Sequence, residues 1–287
     1  ALSQTIVADV IPFERRGRAM GVVMTSFAVG TVMGVPSALF LANHWGWHSP
    51  FFAVAGVSLL LLALAAWLMP ALNHHVQAVR EQSVAKVLKR TLADRNHQRA
   101  LMMSAGMMFS SFCVIPYITL YYQGNGILTS AQLPLLYLCG GLATLFTSRW
   151  VGSMADRMGK LKMLRVMLLV STVPLMITTL MQPWGLGVAL LASTLFFIAM
   201  NGRMVPAMAV LSAAAHPQLR GTFMTLNGSM QSLAMGLASV VGGMLITQQA
   251  DGRLDHYWHA GLLGVFCTGV TFWLAGRVTM HTQPVSR

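Results

Sequence analysis

The feature that most constrains this chain is a series of eight apolar runs, each long enough to cross a bilayer as a helix of about 20 residues. The runs lie near residues 18–42, 50–69, 100–122, 133–154, 164–182, 185–213, 222–247 and 259–280. Hydrophobic residues make up 55% of the chain and charged residues only 9%, whereas soluble domains carry about 25% charged residues. The strict two-residue alternation of a membrane β-barrel is missing. The sequence therefore predicts an all-α polytopic membrane protein with about eight complete transmembrane helices.

The net charge of +12 is distributed by loop. Most of the 19 Lys and Arg residues fall before the first run, after the second run, between 149 and 165, and at Arg220, Arg277 and Arg287. The alternate turns, near 43–49, 123–132, 182–184 and 249–258, contain one basic residue, Arg253. The positive-inside rule places the basic turns in the cytoplasm. This pattern favours membrane topology over nucleic-acid binding, so no nucleic-acid partner is predicted.

A charged stretch, GSMADRMGKLK, separates the fourth and fifth runs. It resembles the signature of the major facilitator superfamily of secondary transporters, which is glycine, three residues, Asp-Arg, one residue, glycine, then basic residues. The resemblance implies a cytoplasmic connection between family helices eight and nine, with Asp156 just past the inner end of helix eight. It also implies a gating role, in which this connection latches the inner ends of two six-helix halves. The signature residues are Gly152, Asp156, Arg157, Gly159, Lys160 and Lys162.

The resemblance also indicates which family helix each apolar run corresponds to. Residues 1–10 are too short to span a bilayer and run into ADVIPFERRGRAMG, a phrase that in the family closes helix four and opens helix five. The eight runs then correspond to helices five to twelve, and an N-terminally truncated chain is expected. Residues 1–69 hold the end of helix four with helices five and six, 70–99 form the cytoplasmic linker, and 100–287 hold helices seven to twelve.

An internal repeat agrees with this numbering. Arg16-Gly17, followed by Met20, is echoed by Arg220-Gly221, followed by Met224, at an offset of 204 residues. Transporters built from two parallel repeats place helix five opposite helix eleven.

In the linker, Val84, Val87, Leu88 and Leu92 follow helical spacing, which predicts an amphipathic helix on the inner membrane surface. The alternative is a solvated linker.

The first run contains GTVMGVPSALF, which resembles the helix-five motif of exporters in the superfamily. Gly30, Gly34 and Pro36 match, while Val35 separates the usual glycine-proline pair. Small residues at four-residue spacing are also a general solution to close helix packing in lipid. The resemblance favours bacterial drug–proton antiporters or sugar efflux proteins, with an uptake symporter on the same fold as the alternative.

Acidic residues and histidines all lie in loops or near span ends, so the sequence shows no buried group for acid–base catalysis or metal binding. No enzyme, cofactor or metal is predicted.

Proton coupling normally uses a carboxylate within the membrane, which would then have to lie in helices one to three. Coupling through an ion pair at a helix end, or no coupling, are the alternatives. A non-transporting sensor or scaffold would need a soluble effector domain, and the longest polar segment is 70–99.

One charge does fall inside a run. Arg203 lies about 20 Å along a helix from the inner loop at His216, and a buried guanidinium usually faces a cavity or a partner. The functional hypothesis is a substrate or gating residue; the alternative is a guanidinium that snorkels or pairs with backbone carbonyls. Polar residues that could join it in a substrate cavity are Asn201, Tyr117, Tyr121, Tyr122, Tyr137, Asn227 and Gln231. The expected protein is a monomer of the bacterial inner membrane, with a small molecule, the lipid bilayer and protons as partners.

Overall fold

The computed structural model describes residues 30–68, 84–216 and 219–280. In chain order the helices are α1 (Val35–Trp45), α2 (Ser49–Leu68), α3 (Val84–Ala93), α4 (Arg95–Phe112), α5 (Ile118–Gly124), α6 (Leu133–Met158), α7 (Lys160–Thr179), α8 (Leu186–Gly202), α9 (Met204–Ala214), α10 (Arg220–Leu245) and α11 (Tyr257–Ala275). A π-helical turn, Gly30–Gly34, precedes α1. Two short strands, β1 (Thr247–Gln248) and β2 (Leu254–Asp255), pair antiparallel between α10 and α11. The all-α prediction is confirmed, with this hairpin as the exception.

Six helical stretches in the described residues are long and apolar enough to cross a membrane. They are Ser49–Trp67, Arg95–Gly124, Lys160–Thr179, Leu186–Ala214, Arg220–Leu245 and Tyr257–Ala275. The predicted run at 133–154 lies in α6, whose 26 residues are long enough, but Arg149, Tyr137 and three glycines lower its hydropathy. The predicted run at 18–42 lies partly outside the described residues. Within the described residues, six of the eight predicted spans are therefore established.

Two of the predicted runs contain a break that hydropathy does not reveal. The run at 100–122 divides at a 3₁₀ turn, Ile115–Tyr117, because Pro116 lacks the N–H that a continuous α-helix needs. The run at 185–213 divides at Arg203, which joins α8 to α9. Pro206 follows in the first turn of α9, a position that tolerates proline.

Helix α4 begins five residues before the predicted boundary at 100. Asp94 is its N-cap, and the carboxylate accepts hydrogen bonds from the backbone N–H groups of Asn96 and His97. The amphipathic helix predicted at Val84–Leu92 is present as α3, which contacts α4 and α10. Residues 70–83 of the predicted linker lie outside the described part of the chain.

Helix α4 lies at the centre of the bundle formed by α4 to α11, with α10 on one side and α11 on the other. Two glycines permit these contacts. A Cβ on Gly242 of α10 would lie 2.5 Å from the carbonyl oxygen of Cys113, and one on Gly264 of α11 would lie 2.9 Å from that of Ser110. Close backbone approach through small residues is how helices associate in lipid. The arrangement turns the polar groups of α4 towards α7, α8 and α11.

Helices α1 and α2 lie outside this bundle. Helix α1 and the preceding π-helical turn pack against α6, whereas α2 packs against α1 and none of its apolar span is buried. Gly30 and Gly34 have open space where a Cβ would project, so neither makes a close helix contact among the described residues.

Candidate functional site

The largest fully buried side chain in the described part of the chain is that of Arg203. The side chain is 0% exposed. Its Nη2 donates to the carbonyl oxygen of Met107 at 2.9 Å, to Ser110 Oγ at 2.8 Å and to Ser111 Oγ. Longer bonds from Nη1 reach Ser171 Oγ at 3.4 Å and Thr268 Oγ1 at 3.5 Å, while Nε has no partner. One side chain at the α8–α9 break therefore connects α4, α7 and α11.

Each hydroxyl around Arg203 uses its proton elsewhere. Ser110 and Ser111 donate to the carbonyl oxygen of Met107, Ser171 to that of Leu168, and Thr268 to that of Gly264. Their lone pairs therefore point at the cation. Among the described residues, no carboxylate contacts it. Solvation of a buried cation by hydroxyl and carbonyl dipoles is an alternative to an ion pair.

Arg203 thus lies within the bundle of α4 to α11 and contacts its helices instead of opening into a cleft. A substrate could reach it only after these hydroxyl contacts separated. Substrate contact by Arg203 stays a prediction. Sequence reasoning identified the cation but missed its shell, because Ser110, Ser171 and Thr268 lie on three helices that no local pattern connects.

Four of the predicted cavity residues instead form contacts within the bundle. Tyr117 Oη donates to the carbonyl oxygen of Ser239 at 2.6 Å, and Tyr121 Oη to that of Met181 at 2.8 Å. Asn201 Nδ2 donates to the carbonyl oxygen of Phe197, one turn back in its own helix, and the ring of Tyr137 lies 5.4 Å from that of Phe197. These are the packing and hydrogen-bonding roles expected of most polar residues between membrane helices. Tyr122, a fifth candidate, is fully buried.

Helix α10 holds the two remaining candidates. Gln231 Nε2 donates to Ser104 Oγ of α4 at 2.8 Å. Asn227 is buried at 2% exposure, and its amide oxygen has no hydrogen-bond partner in the described structure. An unsatisfied buried amide oxygen costs about 1–3 kcal/mol. A hydrogen bond from another molecule to this oxygen of Asn227 would remove that cost.

The outward face of α10 is unusual for a membrane helix. Thr225, Ser229, Ser232 and Gly236 are exposed and follow one another at intervals of four, three and four residues, which places them on one face. We call this stripe the polar face of α10. Only 17% of the apolar segment of α10 is buried. Exposed hydroxyls fit a water-filled cavity better than hydrocarbon.

The signature residues lie at the opposite end of the bundle from the β-hairpin, which we call the inner end. Asp156 was expected just past helix eight, but the structure places it in the last turn of α6, which continues to Met158. Gly159, at φ 92°, makes the turn into α7. Asp156, Arg157, Lys160 and Lys162 are exposed, and Asp156 makes no hydrogen bond or ion pair within the described residues. Gly152 is half-buried beside Val205.

A polar junction at the inner end escaped the sequence analysis. We define the inner junction as Asp94, Asn96, His97 and His216. Asn96 Nδ2 donates to the carbonyl oxygens of Ala214 and Thr279, and its Oδ1 accepts from Thr279 N. His97 is fully buried, although it lies near a span end. The junction joins the inner ends of α4, α9 and α11.

Three side chains of the junction have the composition of a metal site. The ligand atoms of Asp94, His97 and His216 lie within 4.8 Å of one another. Both ring nitrogens of His97 are engaged, Nδ1 with the carbonyl oxygen of Thr91 at 3.1 Å and Nε2 as acceptor from His216 N at 3.2 Å. Since a metal needs a free imidazole lone pair, this arrangement fits a hydrogen-bonded junction better.

The carboxylate of Asp94 is the acidic group of the inner junction. It lies 3.3 Å from His216 Nε2. Burial alone raises the pKa of Asp94, but the hydrogen bonds from His97 N and Asn96 N and the nearby imidazoles outweigh it, so the pKa lies below the usual value of 3.8. The ionised form is therefore the one that the fold stabilises.

Comparisons with known proteins agree with this architecture. The sequence profile of the Major Facilitator Superfamily matches residues 1–239. The uncharacterized MFS-type transporter YtbD of Bacillus subtilis is 23% identical over 283 residues, which covers 95% of this chain and 68% of that protein. The multidrug resistance protein MdtG of Klebsiella pneumoniae is 25% identical over 248 residues, covering 84% of this chain and 58% of that protein.

A solved structure shares the fold. The crystal structure of a bacterial homolog of the human lysosomal transporter Spinster, in an inward-facing and unoccupied conformation, aligns with a TM-score of 0.63 at 15% identity. The alignment covers 96% of this chain and 74% of that protein.

Proposed function

This chain belongs to the major facilitator superfamily, a family of membrane transporters and not of enzymes, and on that premise we propose that it exports a small molecule across a bacterial cytoplasmic membrane. The substrate would be a drug-like compound or a sugar, moved by alternating access between two halves. The partial helix-five motif and the similarity to proteins named for multidrug resistance support export over uptake.

The observation that carries the proposal is the polar face of α10. The side chains of Thr225, Ser229 and Ser232 are exposed on one face of α10, and the unpaired amide oxygen of Asn227 is buried on the same helix. Such groups can exchange hydrogen bonds between water and a passing solute. The substrate path would therefore run along α10, with Gln231 as a second contact and Arg203 behind it as a structural support.

Transport by cells tests the proposal directly. Bacteria that lack their main efflux pumps would express the protein and be loaded with fluorescent drug-like dyes or radiolabelled sugars. Export predicts lower accumulation of at least one probe, and loss of that difference in Ser232→Trp, which fills the polar face. Leu191→Trp is the matched control, because Leu191 is exposed on the apolar side of α8.

The outcomes separate the alternatives. Higher accumulation of a probe in expressing cells would replace export with uptake. Equal loss of transport in Ser232→Trp and Leu191→Trp, at equal expression, would remove the polar face of α10 from the substrate path. Dissipating the proton gradient with an ionophore tests coupling, since proton antiport predicts that probe efflux stops.

A further inference from the structure

An open apolar groove follows the seam between α7 and α11. It has a volume of about 500 Å³ and is lined by Thr172, Val173, Met176, Ile177, Leu180, Trp184 and Val265. Val265 is the residue of α11 that lines it, and the other lining residues lie in or just after α7. Antiparallel packing of α7 against Gly261 and Gly264 leaves this space on the outside of the bundle.

Arg165 lies at the inner end of the same seam. It is seven residues before Thr172 on α7, and two full helical turns return a side chain to nearly the same direction. Its guanidinium carbon is 5.5 Å from the centre of the Phe272 ring, and the group occupies the space where a side chain on residue 276 would project. Its buried Nε has no hydrogen-bond partner among the described residues.

A second guanidinium flanks this position. Arg277 follows α11 and lies over the exposed ring of Trp273, 3.6 Å from its centre. Tryptophan and arginine together are typical of the level of the lipid headgroups. Neither α7 nor α11 contains an acidic residue, so no carboxylate on these helices neutralises the two cations.

We propose that the α7–α11 groove binds an anionic diacyl phospholipid, with its phosphate between Arg165 and Arg277 and one acyl chain in the groove. Guanidinium groups hold phosphate through charge-assisted, paired hydrogen bonds. One leaflet of the hydrocarbon core is about 15 Å deep. Thr172 and Val173, the lining residues nearest to Arg165 along α7, lie about 10 and 12 Å from it. A chain descending from the phosphate therefore meets the inner end of the groove within its own leaflet, and the rest of the groove continues towards the outer leaflet.

The test measures lipid binding to the purified protein. The protein in detergent is titrated with palmitoyl-oleoyl phosphatidylglycerol or phosphatidylcholine, and bound lipid is counted by native mass spectrometry. Phosphatidylglycerol should bind at least fivefold more tightly. Arg165→Gln should remove that preference, and Val265→Trp, which enlarges a side chain that lines the groove without changing the charge, should weaken binding of both lipids.

Arg149→Gln is the matched control, because Arg149 is an exposed cation on α6 away from the seam. Equal affinity for the two lipids, or the same change in Arg165→Gln and Arg149→Gln, would overturn the proposal. If Arg165→Gln does not fold, Arg277→Gln provides the same comparison at an exposed position. Displacement of phosphatidylglycerol by excess glycerol phosphate would show that the site holds a phosphate and not a lipid, which also overturns it.

Discussion

Arg203 shows how a membrane bundle accommodates a cation without a counter-charge. Its five hydrogen bonds end on one carbonyl and four hydroxyl oxygens, and every hydroxyl also donates within its own helix. Removal of the guanidinium would therefore leave no hydroxyl proton without an acceptor. Arg203 contributes to stability by connecting α4, α7 and α11 through hydrogen bonds, which fix the position of these helices relative to one another.

Arg203→Met should lower the free energy of unfolding of the detergent-solubilised protein by up to about 3 kcal/mol, because five hydrogen bonds are lost and interhelical hydrogen bonds in membranes average ~0.6 kcal/mol each. Relief of the buried charge reduces that loss. The stability of Arg203→Lys should lie between that of the wild type and that of Arg203→Met, because an ammonium has fewer donors than a guanidinium. Substrate affinity measured in parallel should be unchanged; unchanged stability with lost substrate binding would favour direct substrate contact instead.

The Asp94 carboxyl predicts an acid-dependent loss of stability. Because its pKa is lower in the folded protein than the 3.8 of the unfolded chain, its contribution is present above pH 3.8 and disappears as the pH falls through the folded value. Asp94→Asn keeps an acceptor for the N-cap but not the charge, so the stability gap between wild type and Asp94→Asn should close as the pH falls below about 4.

Asp94→Ala isolates the cap itself. It should cost about 1 kcal/mol at pH 7 beyond any charge effect, measured by melting temperature in detergent. Parallel stability curves for wild type and Asp94→Asn between pH 3 and 7 would show that the carboxylate does not carry the acid dependence of the inner junction.

Among the elements, the apolar runs predicted most helices because a bilayer leaves the backbone little choice but to form them. The breaks at Pro116 and Arg203 were not predicted. Pro116 removes a backbone donor, but a proline alone does not predict a break, since α7 continues through Pro174. The start of α4 at Arg95 was missed for a different reason, since Asp94 caps a polar first turn that hydropathy excludes.

The interface between α10 and α4 offers a matched pair of glycines. Gly242→Ala would push a methyl group against the Cys113 carbonyl, and overpacking of this kind costs about 1–3 kcal/mol. Gly228→Ala in the same helix meets open space and should be neutral or stabilising by up to about 1 kcal/mol. Melting temperatures of the two variants measure the difference, and equal values would mean that α10 can shift away from α4.

The whole molecule shows an uneven distribution of contacts. Among the described residues, α4 to α11 pack around three clusters of buried side chains, whereas the apolar span of α2 is exposed and its main contact is with α1. Sequence patterns predicted the spans and the family of this architecture, because both follow from hydropathy and a charged signature. The Arg203 shell and the inner junction depend on contacts between residues roughly 30 to 180 positions apart, which no local pattern encodes.

The signature connects this architecture to movement of the halves. Asp156 lies in the last turn of α6 at the inner end, exposed and without a partner in the described residues. The N-terminus of a helix attracts a carboxylate through its free N–H groups and its dipole. The internal repeat predicts that Asp156 contacts the start of family helix five, Gly17 to Gly21, with Arg16 or Arg18 as an ionic partner. These residues lie outside the described structure.

We therefore expect Asp156→Asn to preserve membrane insertion and expression but to slow transport and shift the population towards inward-open states. The loss of charge weakens a latch that would form only when the inner ends meet. Accessibility of cysteines introduced along the polar face of α10, probed with a membrane-impermeant thiol reagent from the inner side, reports that shift. Wild-type transport rates and unchanged accessibility in Asp156→Asn would leave Asp156 as a terminal residue of α6 without a role in gating.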